Sequence, residues 1–209
     1  YYSKDFLWAG VKRAGVPHAR IKCIDTSEAR NIPGVFAVLT HEDVAGTNRY
    51  GVIRKDEPVL ADKKVCHCGD AIALVLAGDK ATLRRAIEEI RFDYELLPGV
   101  FDPEEALEKD AVLVHEDGDG SNIIRHVAVE NGNPEHAFAE CDAVVESVFE
   151  VPRQEHAYLE TEAGWAYFDK DGRLVIVVTT QTPFRDRFEI APAIGIDMER
   201  IRIIVPYLG

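Results

Sequence analysis

The hydrophobic and polar positions of the first half alternate between the period of a strand and that of a helix. Strands are predicted at 19–25 (ARIKCID), 35–40 (VFAVLT) and 71–77 (AIALVLA). Between 80 and 90 the apolar residues recur at helical spacing, which indicates an amphipathic helix with Asp79 as its N-cap. Its apolar stripe consists of Leu83, Ala86, Ile87 and Ile90. With the strand RFDYELLP directly after it, this order is typical of an α/β unit.

The pattern changes in the middle of the chain and then resumes. Residues 98–132 are rich in acidic, glycine and turn residues, so we expect a connecting segment there. Asn133 and Pro134 predict the start of a short helix, and AVVESVFEVP predicts a strand at 143–152. Asp171-Gly172 predicts a hairpin turn between two strands. A helix ending at Gly195 and a last strand, RIRIIV, complete the pattern.

Gln181 is the polar residue that this pattern singles out. It lies where the apolar run 174–178 has ended and Pro183 opens a helix. Its amide can donate and accept hydrogen bonds, at a kind of junction where α/β proteins often bind ligands. The alternative is that Gln181 only satisfies backbone groups of the turn. The local sequence leaves both interpretations open.

Composition narrows the class of protein. The length of 209 residues fits one large or two modest domains, and 46% hydrophobic residues fits a globular chain. The net charge of −13 would repel a phosphate backbone and argues against nucleic acid as a partner. No apolar run reaches the ~18–20 residues of a membrane helix, and no signal peptide is evident, so we expect no membrane association and a cytoplasmic location. Four cysteines are too few for a disulfide scaffold.

Motifs that carry metal or catalytic chemistry are weak in this chain. Cys66-His67-Cys68 offers two thiols, but a closed zinc site needs four ligands and no second pair stands at ligand spacing. We therefore expect both cysteines to be reduced, metal-free and packed as small apolar side chains. The polar stretch RQEHAYLETE, at 153–162, would suit acid–base chemistry, but no spacing in it demands that role, and a polar stretch that satisfies buried backbone groups explains it equally. The acidic run EDGDGSN lacks the ligand positions of an EF-hand. Nucleotide-binding, hydrolase and zinc-protease motifs do not occur.

Six segments in register resemble the molybdenum-binding large subunit of the xanthine dehydrogenase and aldehyde oxidase family. They are PHARIKCIDTSEARNIPGVFAVLTHEDV, DKKVCHCGDAIALVLAGDKATLRRAIEEIRFDYELLPGVFDPEEAL, GNPEHAFAECDAVVE, EHAYLETE, GRLVIVVTTQTPFRDR and IRIIVPYLG. The resemblance runs over nearly the whole chain. Two departures are Gly15-Val16, inserted where the family runs Arg-Ser-Pro-His, and the two cysteines at 66 and 68, which replace an aromatic residue and a valine.

The resemblance implies a fold and a site. It implies an α/β hammerhead domain at 1–107, a linker at 108–132 and, at 133–209, the start of a mixed α+β molybdenum-cofactor-binding domain. Gln181 matches the family's glutamine beside the molybdenum centre, where its amide would hydrogen-bond a metal oxo group. Gly209 matches the first residue of the family's glycine-rich cofactor loop. The strand-like ends of the chain suggest a piece of a longer protein, so no catalytic residue and no metal ligand is expected within it.

The resemblance also implies a function for the full-length protein. That function is a molybdopterin-dependent oxidoreductase which hydroxylates a small-molecule heterocycle or aldehyde with oxygen from water. The molybdenum cofactor would be bound by the full-length protein, with 2Fe-2S clusters and FAD on partner subunits or domains of a hetero-oligomer. This chain alone is expected to be inactive and without cofactor. The alternative is a non-catalytic structural module that docks iron–sulfur and flavin subunits.

Overall fold

The computed structural model describes residues 6–116, 118–159, 163–206 and 208. The strands of these residues are β1 (Trp8–Arg13), β2 (Ala19–Asp25), β3 (Val35–Leu39), β4 (Lys64–Val65), β5 (Ala71–Ala77), β6 (Arg91–Leu96), β7 (Gly164–Phe168), β8 (Leu174–Val178) and β9 (Ile201–Ile204). The helices are α1 (Ser27–Arg30), α2 (Lys80–Glu89), α3 (Pro134–Glu140) and α4 (Pro183–Ile194). Short 3-10 turns lie at His41–Asp43, Glu105–Leu107 and Met198–Arg200. The mixed content of helices and small sheets is an α+β fold.

Two antiparallel sheets of three strands form the first half. Their strand orders are β1-β5-β3 and β4-β2-β6. The central strand β5 serves both cores, because successive side chains of a strand point to opposite faces. Val75 packs in the cluster under α2, whereas Ile72 packs with Val65 in a second cluster, and all three side chains are fully buried. The two sheets are therefore joined through one buried strand.

Helix α2 packs on β1 and β5, as the apolar stripe predicts. Its N-cap is Asp79, whose carboxylate accepts hydrogen bonds from the backbone N–H groups of Ala81 (2.8 Å) and Thr82 (2.9 Å). Three stripe residues are buried, and the fourth, Ile87, is half-buried against the same cluster. The buried three are Leu83, Ala86 and Ile90. The cap and the helix predicted from sequence are confirmed.

Strand β3 forms at the predicted place, and only part of it is buried. Among the described strands it pairs with β5 alone, so it lies at an edge of its sheet. Val38 is buried, whereas Phe36 keeps 67% of its surface exposed. An edge strand buries one face against its neighbours and leaves part of the other to solvent.

The predicted strand at 143–152 is wrong. The described chain there forms no strand, and the side chains of Val145, Val148 and Phe149 are each about nine-tenths exposed. A strand needs a partner for its backbone N–H and C=O groups, and no described strand lies beside this segment. Apolar residues on both faces are typical of a buried strand, which explains why the pattern misleads. Helix α3, just before it, is confirmed, with Asn133 Oδ1 accepting from the His136 N–H at 3.0 Å.

A third sheet, of order β7-β8-β9, forms the last part of the described chain. The predicted hairpin joins β7 to β8, and Gly172 adopts the left-handed φ of +74° that its turn requires. Strands β8 and β9 are parallel and are connected by α4. Val175 and Val177 of β8 are buried, at 1% and 4% exposure. This strand–helix–strand unit positions the candidate site.

Candidate functional site at the end of strand β8

The carboxyl ends of β8 and β9 lie side by side at one edge of the third sheet. Val177 of β8 pairs with Ile204 of β9, so both strands end at the same level. Helix α4 begins five residues after β8 ends, and Gln181 lies in that turn. In open sheets with parallel strands, ligands bind outside the carboxyl ends of the strands. The edge that carries Gln181 is therefore the candidate ligand-binding edge.

The hydrogen bonds of the turn at this edge do not involve the Gln181 side chain. The hydroxyl of Thr180 accepts from the Thr182 N–H at 3.1 Å, and the Thr182 carbonyl accepts from the Asp186 N–H at 2.9 Å. The Thr182 hydroxyl also donates to Asp186 Oδ1 at 3.3 Å. The structural alternative, in which Gln181 fills this role, is not supported by these bonds.

Gln181 keeps its amide available. The residue is exposed, and within the described ranges its side chain has no hydrogen-bond partner. The amide can donate from nitrogen and accept at oxygen. The N-terminus of α4 also carries the positive end of a helix dipole. The Thr182 side chain does not cap this end of the helix. This environment suits a ligand atom that accepts a hydrogen bond, such as an oxo or phosphate oxygen.

Helix α4 is also contacted by the first half of the chain, outside the sheet β7-β8-β9. Lys55 forms an ion pair with Glu189, and its Nζ lies 4.9 Å from the centroid of the Phe188 ring. The hydrogen bond from Lys55 lowers the pKa of Glu189 below its ordinary value, with a smaller contribution from Arg185. Sequence reasoning missed this contact. No local sequence signal links Lys55 to a helix residue 134 positions later in the chain.

A groove of about 450 Å³ lies between α4 and β9. Its lining combines apolar side chains with arginines from both elements, among them Arg187 and Arg202. Arg187 Nη2 donates to the Met198 carbonyl at 2.7 Å and so ties α4 to the turn before β9. Gln181 is not among the residues that line this groove.

Cys66, His67 and Cys68 lie in a turn after the short strand β4. The Asp70 carboxylate accepts from the backbone N–H groups of Cys66 (2.7 Å) and His67 (3.1 Å), which fixes this turn. Cys66 is half-buried, and its thiol donates to the Val114 carbonyl at 3.4 Å. Burial raises the pKa of the Cys66 thiol. Cys68 is exposed, so the prediction that both cysteines pack as small apolar side chains is wrong for Cys68.

The free thiols elsewhere and the acidic stretches show no assembled site. Cys23 and Cys141 are exposed. The part of RQEHAYLETE that is described, 153–159, is exposed, and residues 160–162 lie outside the described residues. Asp119, in the acidic run, pairs with Arg54 at 3.0 Å. Among the residues the structure describes, no group of three or more His, Cys, Asp or Glu side chains is placed to hold a metal ion.

Gly209, the second residue that the resemblance assigns to the cofactor, lies outside the described residues. The strand that leads towards it, β9, ends at Ile204 on the same edge as Gln181. Within the part of the chain that the structure describes, every helix is too short or too polar to cross a membrane.

The chain is an α+β protein whose candidate site lies at the junction between two parallel strands and a helix. Residues 2–98 match the family model for the a/b hammerhead domain of aldehyde oxidase and xanthine dehydrogenase, and residues 114–209 match the molybdopterin cofactor-binding domain. The chain belongs to the aldehyde oxidase and xanthine dehydrogenase family. The family resemblance and the mixed fold predicted from sequence are thus confirmed.

Individual relatives share both sequence and fold with this chain. The large molybdopterin subunit of nicotinate dehydrogenase from Eubacterium barkeri is 44% identical over 100% of this chain and 48% of its own length. Aldehyde oxidoreductase from Desulfovibrio gigas has a TM-score of 0.87 and 34% identity, covering 98% of this chain and 23% of that structure. Carbon monoxide dehydrogenase from Oligotropha carboxidovorans gives a TM-score of 0.86 and 34% identity over 100% and 28% of the two chains. This chain spans about half or less of the relatives it matches.

Proposed function

We propose that this chain forms the first part of the large subunit of a molybdenum hydroxylase, in which Gln181 contacts the molybdenum cofactor. The observation that carries the proposal is the unused amide of Gln181, at the carboxyl ends of two parallel strands in a chain of this family. The residues present fit the group. An amide N–H can donate to an oxo or pterin oxygen there, and none of the described hydrogen bonds of the turn uses that N–H.

The proposed chemistry divides between the cofactor and this chain. When bound, the molybdenum cofactor supplies the two-electron oxidation that inserts an oxygen atom from water into a C–H bond of a small molecule. Gln181 would orient the acceptor atom that it contacts, because a directional hydrogen bond fixes both distance and angle. The buried strand β8 holds the turn that carries this amide, with Val175 and Val177 anchored in the core. The base that moves the substrate proton is proposed to lie beyond Gly209.

The domain division and the role of Gly209 are part of the same proposal. We assign 1–107 to the hammerhead domain, 108–132 to the linker and 133–209 to the start of the cofactor-binding domain. The family matches support a boundary in this region, since they leave 99–113 between them, although the second match already begins within the proposed linker. At Gly209 the missing Cβ would let the backbone approach the cofactor closely.

The reaction also implies partners. Hydroxylation with water releases two electrons and two protons for each product molecule, so the cofactor must be reoxidised through an electron acceptor. We propose 2Fe-2S clusters and FAD on partner subunits or domains of a hetero-oligomer in the cytoplasm. The second candidate function, a structural docking module, is favoured by the exposed apolar segment 143–151. Such a surface is typical of an interaction site.

The test is Gln181→Ala in the full-length, molybdenum-loaded enzyme. We expect kcat to fall by about 10- to 100-fold, the usual loss for a group that orients atoms around a metal, while the thermal unfolding temperature stays unchanged. The matched control is Gln154→Ala, which removes the chain's other glutamine from an exposed position. Unchanged turnover at full molybdenum content would contradict the assignment of Gln181. A lower unfolding temperature would instead support the structural interpretation of the turn.

A further inference from the structure

The C-terminal end of helix α4 cannot satisfy all of its own backbone groups. The last four carbonyls of any helix lack intrahelical donors. Gly195, in the left-handed conformation with φ +67°, and Ile196 both direct their N–H groups to Ala191. That leaves the carbonyls of Pro192, Ala193 and Ile194 without a donor from the end of the helix itself.

Donors for two of these carbonyls come from the hammerhead half. The Thr47 N–H donates to the Pro192 carbonyl at 2.8 Å, and the Gly46 N–H donates to the Ala193 carbonyl at 3.0 Å. A loop about 145 residues earlier in the chain thus caps α4, taking the place of the helix's own C-terminal residues. The ion pair between Lys55 and Glu189 lies about one turn further back on the same helix. Together these contacts restrict the translation of α4 along its axis and its rotation about that axis.

Gly46 allows this contact because it has no side chain. A Cβ at Gly46 would lie 1.9 Å from the Pro192 carbonyl oxygen and 2.9 Å from the Gly195 nitrogen. Both are backbone atoms that cannot move away without moving the helix. Any larger residue would therefore force the loop and α4 apart.

We propose that Gly46 is a positioning residue for Gln181, acting through α4. This inference rests on the proposed function of Gln181. A helix of 12 residues is a rod of about 18 Å, so a displacement imposed at its C-terminal end is transmitted to the turn at its N-terminal end. That turn carries Gln181 and is tied to α4 by the bond from the Asp186 N–H to the Thr182 carbonyl. The loop at Gly46 thereby determines the position of the Gln181 amide without contacting it.

The first test is hydrogen exchange of Gly46→Ala in the full-length enzyme, followed by mass spectrometry. We expect exchange to quicken by about 10-fold or more in peptides covering 45–48 and also in peptides covering 179–184, since amide protection reports local opening. The control is Gly78→Ala, where the nearest atoms to a new Cβ lie at 3.5 and 3.9 Å. If the 179–184 peptides exchange as in wild type while 45–48 quickens, the inference is wrong.

A double-mutant cycle supplies the second test. Gly46→Ala should lower kcat in the wild-type background and have no further effect in the Gln181→Ala background, because coupled residues are not additive. If each substitution lowers kcat and the two fold-losses multiply in the double variant, the inference is wrong. The role of Gln181 is unaffected by that result. If Gln181→Ala itself turns over normally, the proposed function fails, and the exchange experiment alone decides the coupling.

Lys55→Met is the second variant in case Gly46→Ala does not accumulate as folded protein. It removes the ion pair with Glu189 but leaves the backbone of the loop unchanged. We expect the same direction of change in the 179–184 peptides, with a smaller acceleration of about 2- to 5-fold, because the backbone cap persists. Wild-type exchange in these peptides would count against positioning through α4.

Discussion

The packing of α2 against β1 gives a quantitative test of the hammerhead core. Gly10 of β1 faces the helix, and a Cβ there would lie 2.8 Å from Ile87 Cδ1 and 3.1 Å from Leu83 Cδ2. These distances are shorter than normal carbon contacts, so Gly10→Ala overpacks the contact. Overpacking costs about 1–3 kcal/mol, and removing a glycine from a strand offsets about 0.5–1 kcal/mol of that. We expect a net loss of up to about 2.5 kcal/mol in the free energy of unfolding.

The companion substitution is Ile87→Ala. A fully buried isoleucine loses about 2–5 kcal/mol on truncation to alanine, and because Ile87 is only half-buried we expect about 1–2.5 kcal/mol. In the double variant the methyl group added at Gly10 enters the space that the Ile87 side chain vacates. The double variant should therefore be more stable than the sum of the single losses predicts, by about 0.5–3 kcal/mol.

The assay is urea unfolding of the wild type, the two single variants and the double variant, followed by far-ultraviolet circular dichroism. The slope of unfolding free energy against urea should stay constant, so that the midpoints report stability alone. Gly78→Ala is the control for the effect of adding a methyl where there is room. Losses that add within about 0.3–0.5 kcal/mol would refute the close contact between Gly10 and Ile87.

Three further predictions concern the pH dependence of stability, the reactivity of the thiols and the binding of zinc. Backbone and side-chain hydrogen bonds from Thr82 lower the pKa of Asp79 below its ordinary 3.8, so its contribution to stability is present above that value and is lost as pH falls through the lowered pKa. Asp79→Asn keeps an N-cap but does not titrate, so its stability measured between pH 5 and 2 should fall less steeply than that of wild type; equal slopes would contradict the assignment. In the reduced protein Cys68 should react with iodoacetamide before Cys66, because burial raises the pKa of Cys66 and its thiol donates to Val114; mass spectrometry showing the reverse order would count against this. We also expect no stoichiometric zinc, and zinc that disappears when both cysteines become serine would overturn that expectation.

The parts of the fold that sequence predicts well depend on local chemistry. The cap at Asp79, the turn at Gly172 and the helix start at Asn133 each require particular residues within a few positions. The segment 143–152 misleads because its residues suit a strand, whereas a strand also needs a neighbour that local sequence does not contain. The exposure of Phe36 has a related reason, since β3 has a neighbouring strand on one side only.

The sequence likewise predicts only part of the candidate site. The sequence places Gln181 at a strand-to-helix junction, which the structure confirms. That Thr180 and Thr182 leave its amide unused is a matter of side-chain geometry that residue types alone do not determine. The contact of Gly46 with the end of α4 joins residues far apart in the chain, and nothing in the sequence around 46 indicates it.

In the first half of the chain, strands that pair with each other are far apart in the sequence and so are synthesised at different times. Trp8 in β1 pairs with Ala77, and Asp25 in β2 pairs with Arg91, so neither of the first two strands has its main partner until roughly 70 further residues have been made. At ~5–20 residues per second that delay is about 4–14 seconds on the ribosome. During this delay the edges of β1 and β2 are open to pairing with other chains. The speed of translation between residues 25 and 70, rather than the stability of the finished sheets, therefore decides how long the nascent chain is exposed to wrong pairing.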